Sequence, residues 1–230
     1  MTTRIGQWEA KLLVSNPGDV MAGHYMAGER NLIQACLSRI SHGDVAWDVG
    51  ANVGHWSMFL AAAVGGSGTV ISFEPNPTSA ERLRLNYVSN EFDGYQIETC
   101  GLSNESYAGK LNIGTGGVNP RASMQRVFSD DSTVSLNLEV ADDLVSASKV
   151  PTPNFVKIDV EGMEDMVVGG MTEILQDMRL KTVMCECNPE LLEKRHVKID
   201  YIADRLESHG FKVQRINRVA GSDIHLLATR

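Results

Sequence analysis

Basic residues are few and scattered in this sequence. Lys plus Arg number 21 against 29 Asp plus Glu, a formal charge of −8. No run of Lys or Arg forms the positive stripe that nucleic acid or an anionic membrane selects. No segment reaches the apolar length of a bilayer span. The N-terminal stretch MTTRIGQWEAKLLVSN brings in acid and Trp early and lacks a long apolar region, so no signal peptide is read there. Cys36, Cys100, Cys185 and Cys187 lack the paired spacing of a zinc site, and Cys185-x-Cys187 falls inside an apolar run. Free buried thiols in a reducing compartment are expected. There is no internal repeat and no low-complexity tract. These absences point to a soluble cytoplasmic protein with no nucleic-acid or membrane partner.

What is present is alternation. The chain has 230 residues, 43% of them hydrophobic, enough for one domain with a sizeable core. Strands are expected at VAWDV (Val45–Val49), TVISFEP (Thr69–Pro75), YQIETC, NFVKIDV (Asn154–Val160), KTVMCEC (Lys181–Cys187), FKVQRI and DIHLLAT. Helices are expected over Glu29–Ile40, His55–Val64, Thr78–Asn90 with Thr78 as cap, the Gly169–Gly170-weakened stretch EDMVVGGMTEILQDM, and Lys198–Gly210. Such alternation predicts an α/β, Rossmann-like fold: a seven-stranded, mainly parallel sheet with helices on both faces. The last two strands have no helix between them and should pair antiparallel. That ending is usual for the class I methyltransferase sheet, a likeness of fold alone. Residues 1–42 read as an N-terminal helical segment, a lid or a dimer arm, ahead of a domain over 43–230. Residues 104–135, rich in Gly, Asn, Ser and Asp, read as a hairpin or a loop that shapes a second substrate's pocket.

The turn DVGANVGHW follows the first of these sheet strands. A dinucleotide fingerprint needs G-x-G-x-x-G, whose middle glycine lets the backbone approach a pyrophosphate. Here Gly50, Ala51, Asn52, Val53 and Gly54 put Asn52 in that place. Asp48 at the strand end repels a diphosphate but suits an ammonium or a sulfonium. Glu74 ends the second strand, where an acid can accept hydrogen bonds from both ribose hydroxyls of an adenosine. The combination points to S-adenosylmethionine in place of NAD.

Three motifs then carry a resemblance. DVGANVG, FEPNP with Asn86 in the following helix, and VKIDVEGMEDMVVGG resemble the FkbM-type methyltransferases, from about Gly43 to Asn188. The resemblance implies the class I methyltransferase fold and methylation of hydroxyl groups on sugars, polyketides and other secondary metabolites. It implies that Asp48, Gly50, Asn52 and Gly54 line the methionine end of the cofactor. Glu74 would hold the ribose, with Pro75 and Asn76 flanking ribose and adenine. Glu29, in MAGER, matches an acid that the family often places before the first strand.

A second acidic cluster, KIDVEGMED, sets Lys157 and Asp159 on one face of a strand end, with Glu161 and Glu164 beyond it. Methyl transfer needs an aligned acceptor oxygen and removal of its proton. Asp159 is the first choice for that base or for orienting the acceptor, and Glu161 the second. Lys157 either stabilises an alkoxide or pairs with Glu161 or Glu164, and Glu164 either caps the following helix or takes part in the chemistry. Catechol O-methyltransferase-like enzymes hold magnesium at such strand ends, which makes Asp159, Glu186 and Asn188 a candidate metal set, although a site without metal is preferred. The remaining alternatives are a methyltransferase acting on RNA or peptide, an NAD-linked oxidoreductase, and a non-catalytic adenosyl-binding module.

Overall fold

A computed structural model of the chain describes residues 1–14, 29–112, 133–217 and 223–230. The chain opens with an antiparallel hairpin, β1 (Thr2–Ile5) and β2 (Trp8–Lys11), followed by helix α1 (Arg30–Leu37). Then come β3 (Val45–Val49), α2 (His55–Val64), β4 (Thr69–Phe73), α3 (Pro77–Ser89) and β5 (Tyr95–Glu98). Next are β6 (Gly101–Ser103), β7 (Tyr107–Asn112), β8 (Thr133–Val140) and α4 (Ala141–Ser146). The rest runs β9 (Phe155–Ile158), α5 (Glu164–Gly169), α6 (Thr172–Gln176), β10 (Thr182–Cys187), α7 (Pro189–Lys194), α8 (Ile199–Ser208), β11 (Lys212–Asn217) and β12 (Ile224–Thr229).

Seven strands form the main sheet in the order β11-β12-β10-β9-β3-β4-β5. The pairs from β10 through β5 are parallel, while β12 runs antiparallel to both β10 and β11. This is the expected class I methyltransferase sheet. Strands β6, β8 and β7 make a separate small sheet. Its β7 and β8 pair antiparallel, so the segment read as hairpin or loop has hairpin arms. Residues 113–132 between them, and the connection at 218–222, lie outside the described residues.

Both faces of the sheet are buried. One carries Trp47, Val49, Val156, Ile158 and Cys185 under α4 to α8; the other carries Ala46, Val70, Phe155, Met184 and Leu227 under α1, α2 and α3. Helix α2 is apolar on nearly every side because it lies between sheet and hairpin. The hairpin was not read from sequence. Its Ile5, Ala10 and Leu12 join the α1–α3 cluster. Backbone N–H groups of Lys11 and Leu13 donate to the side chains of Asn90 and Asn86 on α3, at 2.8 Å each. This part of residues 1–42 is therefore bonded to its own chain.

Two other differences have local causes. Helix α3 is capped by Asn76, whose Oδ1 accepts from the Thr78 N–H at 3.0 Å, with Pro77 at the first helical position, so Thr78 is not the cap. The stretch Glu164–Met178 is two short helices instead of one. A Cβ on Gly170 would collide with the Ser103 carbonyl, so the glycine pair lets the backbone approach the small sheet.

Candidate active site at the carboxyl edge

Strand alternation and register place a row of polar side chains on the α1–α3 face of the sheet. Asp48 on β3 lies opposite Ser72 on β4 and Lys157 on β9, and Glu186 on β10 lies opposite His225 on β12. Asp159 follows β9 on the Lys157 side. Asp48 and Lys157 are almost wholly buried. Lys157 Nζ lies 3.0 Å from Asp48 Oδ1 and 3.5 Å from Asp159 Oδ2, and donates to the Gly50 carbonyl at 3.1 Å. Burial favours its neutral amine. The charges of Asp48 and Asp159 more than offset this and hold Lys157 above its ordinary pKa. The second Asp48 oxygen accepts from Ser57 Oγ at 2.6 Å, and Ser57, Ser72 and Tyr87 continue the chain of hydroxyls inward at 3.0 and 2.8 Å.

The Asp48 carboxylate is enclosed and paired with Lys157, so it supports the turn from beneath. Lys157 is likewise a buried tie between β3 and β9; its partners are Asp48 and Asp159, not Glu161 or Glu164. The hydroxyls of Ser57, Ser72 and Tyr87 were missed because each sits in an ordinary helix or strand pattern. Only the fold brings them together.

The turn itself is tightly determined. Gly50 has φ 80°, and a Cβ there would collide with the carbonyl oxygen of Asp159; Gly54 has φ 93°, and a Cβ there would collide with Leu83. Both glycines serve close backbone and helix packing. Asn52 is also left-handed, with φ 50°. Its N–H donates to Glu74 Oε2 at 2.7 Å, while the Asn76 N–H donates to Glu74 Oε1 at 2.8 Å. The amide that a pyrophosphate would need near Asn52 is thus already directed at a carboxylate. Asn86 Nδ2 donates to the Val53 carbonyl at 2.7 Å, which anchors the turn to α3 and explains why that asparagine accompanies the motif. Pro75 is partly exposed beside Glu74. The Asn76 side chain is engaged as the α3 cap, so only its backbone is directed at the Glu74 carboxylate.

Burial pushes Glu74 up to about 7, against the two amides and Lys157. Asp159, a third exposed, is also pushed upward, by burial first and then by Glu186 and Asp48, against the pull of Lys157. Glu161, in a left-handed conformation at φ 53°, rises to about 8 through burial and then through Asp159, Glu186 and Asp223. Glu164 rises to about 7, again mainly by burial; its Oε1 accepts from the Gly162 N–H at 2.8 Å, which ties it to the turn before α5, and the Met163 cap position makes no side-chain capping bond. The edge therefore gathers several carboxyls that burial, and for Asp159 and Glu161 also neighbouring acids, hold toward their neutral form.

The linkage has a definite sign. These folded carboxyls keep protons up to about 7 or 8, whereas unfolded ones release them near 4.5. Between those limits the folded chain binds more protons, so stability falls as pH rises. The ligand-free protein should melt at least ~4 °C higher near pH 5.5 than near pH 8 by thermal denaturation. A melting temperature that is flat or rises over that interval would remove the buried-carboxyl description.

The remaining residues fall elsewhere. Asn188 Oδ1 accepts from the Leu191 N–H at 3.1 Å and caps α7. Glu186 turns instead toward His225, with 3.3 Å between Oε2 and Nε2. Glu29, expected with the cofactor turn, lies with the same histidine at 3.7 Å. His225 was missed because its partner stands on a strand about 40 residues away, and only the antiparallel register of β12 reveals the pair.

Comparison with known proteins agrees with this architecture. The profile of the family described as methyltransferase FkbM domain matches residues 48–213. The hexuronic acid methyltransferase AglP of Haloferax volcanii is 30% identical over 184 residues, covering 80% of this chain and 73% of that protein. The 31-O-demethyl-FK506 methyltransferase FkbM of Streptomyces tacrolimicus is 25% identical over 259 residues, covering 93% and 95% of the two chains. The solved structure of magnesium protoporphyrin IX methyltransferase from Synechocystis PCC 6803 with bound SAH superposes with TM-score 0.54 at 12% identity, covering 96% of this chain and 90% of that one, a likeness of fold. With its class I sheet and the matched turn, acid and strand-end motifs, the chain belongs to the FkbM methyltransferase family.

Proposed function

We propose that the protein is an S-adenosylmethionine-dependent O-methyltransferase acting on a hydroxyl of a small molecule, with a sugar or sugar acid as the first acceptor class to test. The observation that carries this reading is Glu74. Its two oxygens each take one backbone amide, which fixes the carboxylate at the end of β4 and leaves lone pairs for the two ribose hydroxyls of an adenosyl group. Gly50, Asn52 and Gly54 shape the neighbouring turn toward the methionine end. The negative edge formed by Asp159, Glu161 and Glu186 suits the sulfonium and ammonium of the donor. Asp159 stands at the end of β9 with a raised pKa, suited to take a proton from an acceptor hydroxyl near neutral pH. Glu161 is the second candidate for that step. The cofactor supplies an activated methyl group; the chain's residues hold, orient and deprotonate.

The acceptor class follows from the relatives' names, one a hexuronic acid methyltransferase and the other acting on a demethylated FK506. A net charge of −8 disfavours RNA as acceptor. Four buried free thiols suit a reducing cytoplasm, and among the described residues no helix is long and apolar enough to cross a membrane. The test is incubation with methyl-labelled S-adenosylmethionine and a panel of uronic acids, neutral sugars, macrolides and short RNAs. Label in a small hydroxylated acceptor supports the reading. Label confined to RNA contradicts it.

A further inference from the structure

The carboxyl edge has a second convergence, away from the cofactor turn. Glu186 on β10 and His225 on β12 are directly opposed in the antiparallel register and share the α1–α3 face. Glu29, immediately before α1, comes down on them from the covering layer. His225 is 2% exposed, and the side chains of Glu29 and Glu186 are 9% and 16% exposed. His225 Nε2 lies 3.3 Å from Glu186 Oε2 and 3.7 Å from Glu29 Oε1, and one ligand atom from each residue falls within 4.8 Å of the others. Adjacent ligands bound at about 2.1 Å stand roughly 3.0–3.5 Å apart around a tetrahedral or octahedral ion. The two distances to His225 lie within or close to that range.

We propose that Glu29, Glu186 and His225 form a binding site for a divalent first-row transition ion. The geometric warrant is that three separate elements aim one imidazole nitrogen and two carboxylate oxygens at a single point. The donor set selects the class of ion. The imidazole favours Fe²⁺ or Zn²⁺ over Mg²⁺ or Ca²⁺, and the two carboxylates also admit Mn²⁺. Two carboxylates match the charge of one such ion and leave coordination positions open. Polar ligands beneath an apolar helical layer also agree with a buried ion better than with solvent. Its place beside Asp159 puts it on the acceptor side of the edge, away from Glu74. There a bound ion lowers the pKa of a coordinated hydroxyl. That role rests on the methyltransferase reading; the binding site itself does not.

The test uses the full chain, stripped with a chelator and dialysed, and titrated with MnCl₂ alone. Free Mn²⁺ is followed by electron paramagnetic resonance, and the melting temperature is recorded in parallel. The expected result is one saturable ion per chain, a melting temperature raised by Mn²⁺, and affinity lowered at least about tenfold in Glu29→Gln and in His225→Gln. Magnesium should compete weakly. Glu29→Gln, at the start of a helix, keeps the test open if the buried histidine variant fails to fold. Absence of saturable binding to ~1 mM Mn²⁺ overturns the proposal in favour of a metal-free polar cluster of His225 and the two carboxylates. Binding undiminished in Glu29→Gln overturns it as well. Neither donor nor acceptor is present, so failure here and failure of the methyltransferase reading are separate results.

Discussion

Asp159→Asn should lower kcat for methylation of a hydroxylated acceptor by about 10²–10⁴-fold, the range typical of a lost general base. Binding of S-adenosylmethionine should weaken far less than kcat falls, because only one acid of the edge is neutralised. The amide keeps the shape of the side chain and a hydrogen-bonding oxygen toward Lys157, which lies 3.5 Å away. It cannot take a proton. The wild-type rate should rise with pH through the neutral range as the raised Asp159 carboxyl ionises, because the base acts in its deprotonated form. In Asp159→Asn that rise should flatten. The sulfonium already activates the methyl group, so alignment alone sustains a residual rate. An Asp159→Asn enzyme with unchanged kcat and pH profile would move the base to Glu161 or leave the step to solvent.

Lys157→Met should destabilise the folded chain by about 3–5 kcal/mol, the cost of leaving a buried carboxylate without its cation. Asp48 is fully buried and its two oxygens face Lys157 and Ser57. Removing the ammonium also frees the Gly50 carbonyl from its donor. The double variant Asp48→Leu with Lys157→Met should recover part of the loss, since it removes both charges and leaves two apolar groups of similar volume. Urea unfolding of the four proteins of the cycle gives the coupling energy. A cost below ~1 kcal/mol for Lys157→Met would mean that water reaches the pair, and the buried-tie description would fail.

The fold was legible where period and punctuation agreed. VAWDV and HWSMFLAAAV became β3 and α2 with the bounds read from them, because one apolar strand and one apolar helix flank a glycine turn. The α3 cap was read at Thr78, whereas the structure places it at Asn76, with Pro77 at the first helical position. The N-terminal hairpin escaped because TTRI and WEAK mix charge into four-residue strands around a tight turn at left-handed Gly6. Helix α7 escaped because six residues carry too little periodicity, although Asn188-Pro189 marks its start.

The site divides in the same way. Gly50, Asn52, Gly54 and Glu74 lie within one strand–turn–helix–strand unit, so spacing alone brought them together. The burial of Asp48 was not legible, because its partner Lys157 stands more than 100 residues away and only the β3–β9 register pairs them. His225 and Glu29 required the whole sheet and its covering helix. A histidine in the middle of the apolar run DIHLLAT was the one local signal, and it did not name a partner.

Isothermal titration of the purified chain with S-adenosylmethionine, S-adenosylhomocysteine and NAD⁺ reads the choice of cofactor without any acceptor. Saturable binding of both sulfur compounds, weakened at least about tenfold in Glu74→Ala, with no heat from NAD⁺, is the predicted outcome. Saturable NAD⁺ binding with no response to S-adenosylhomocysteine would contradict it.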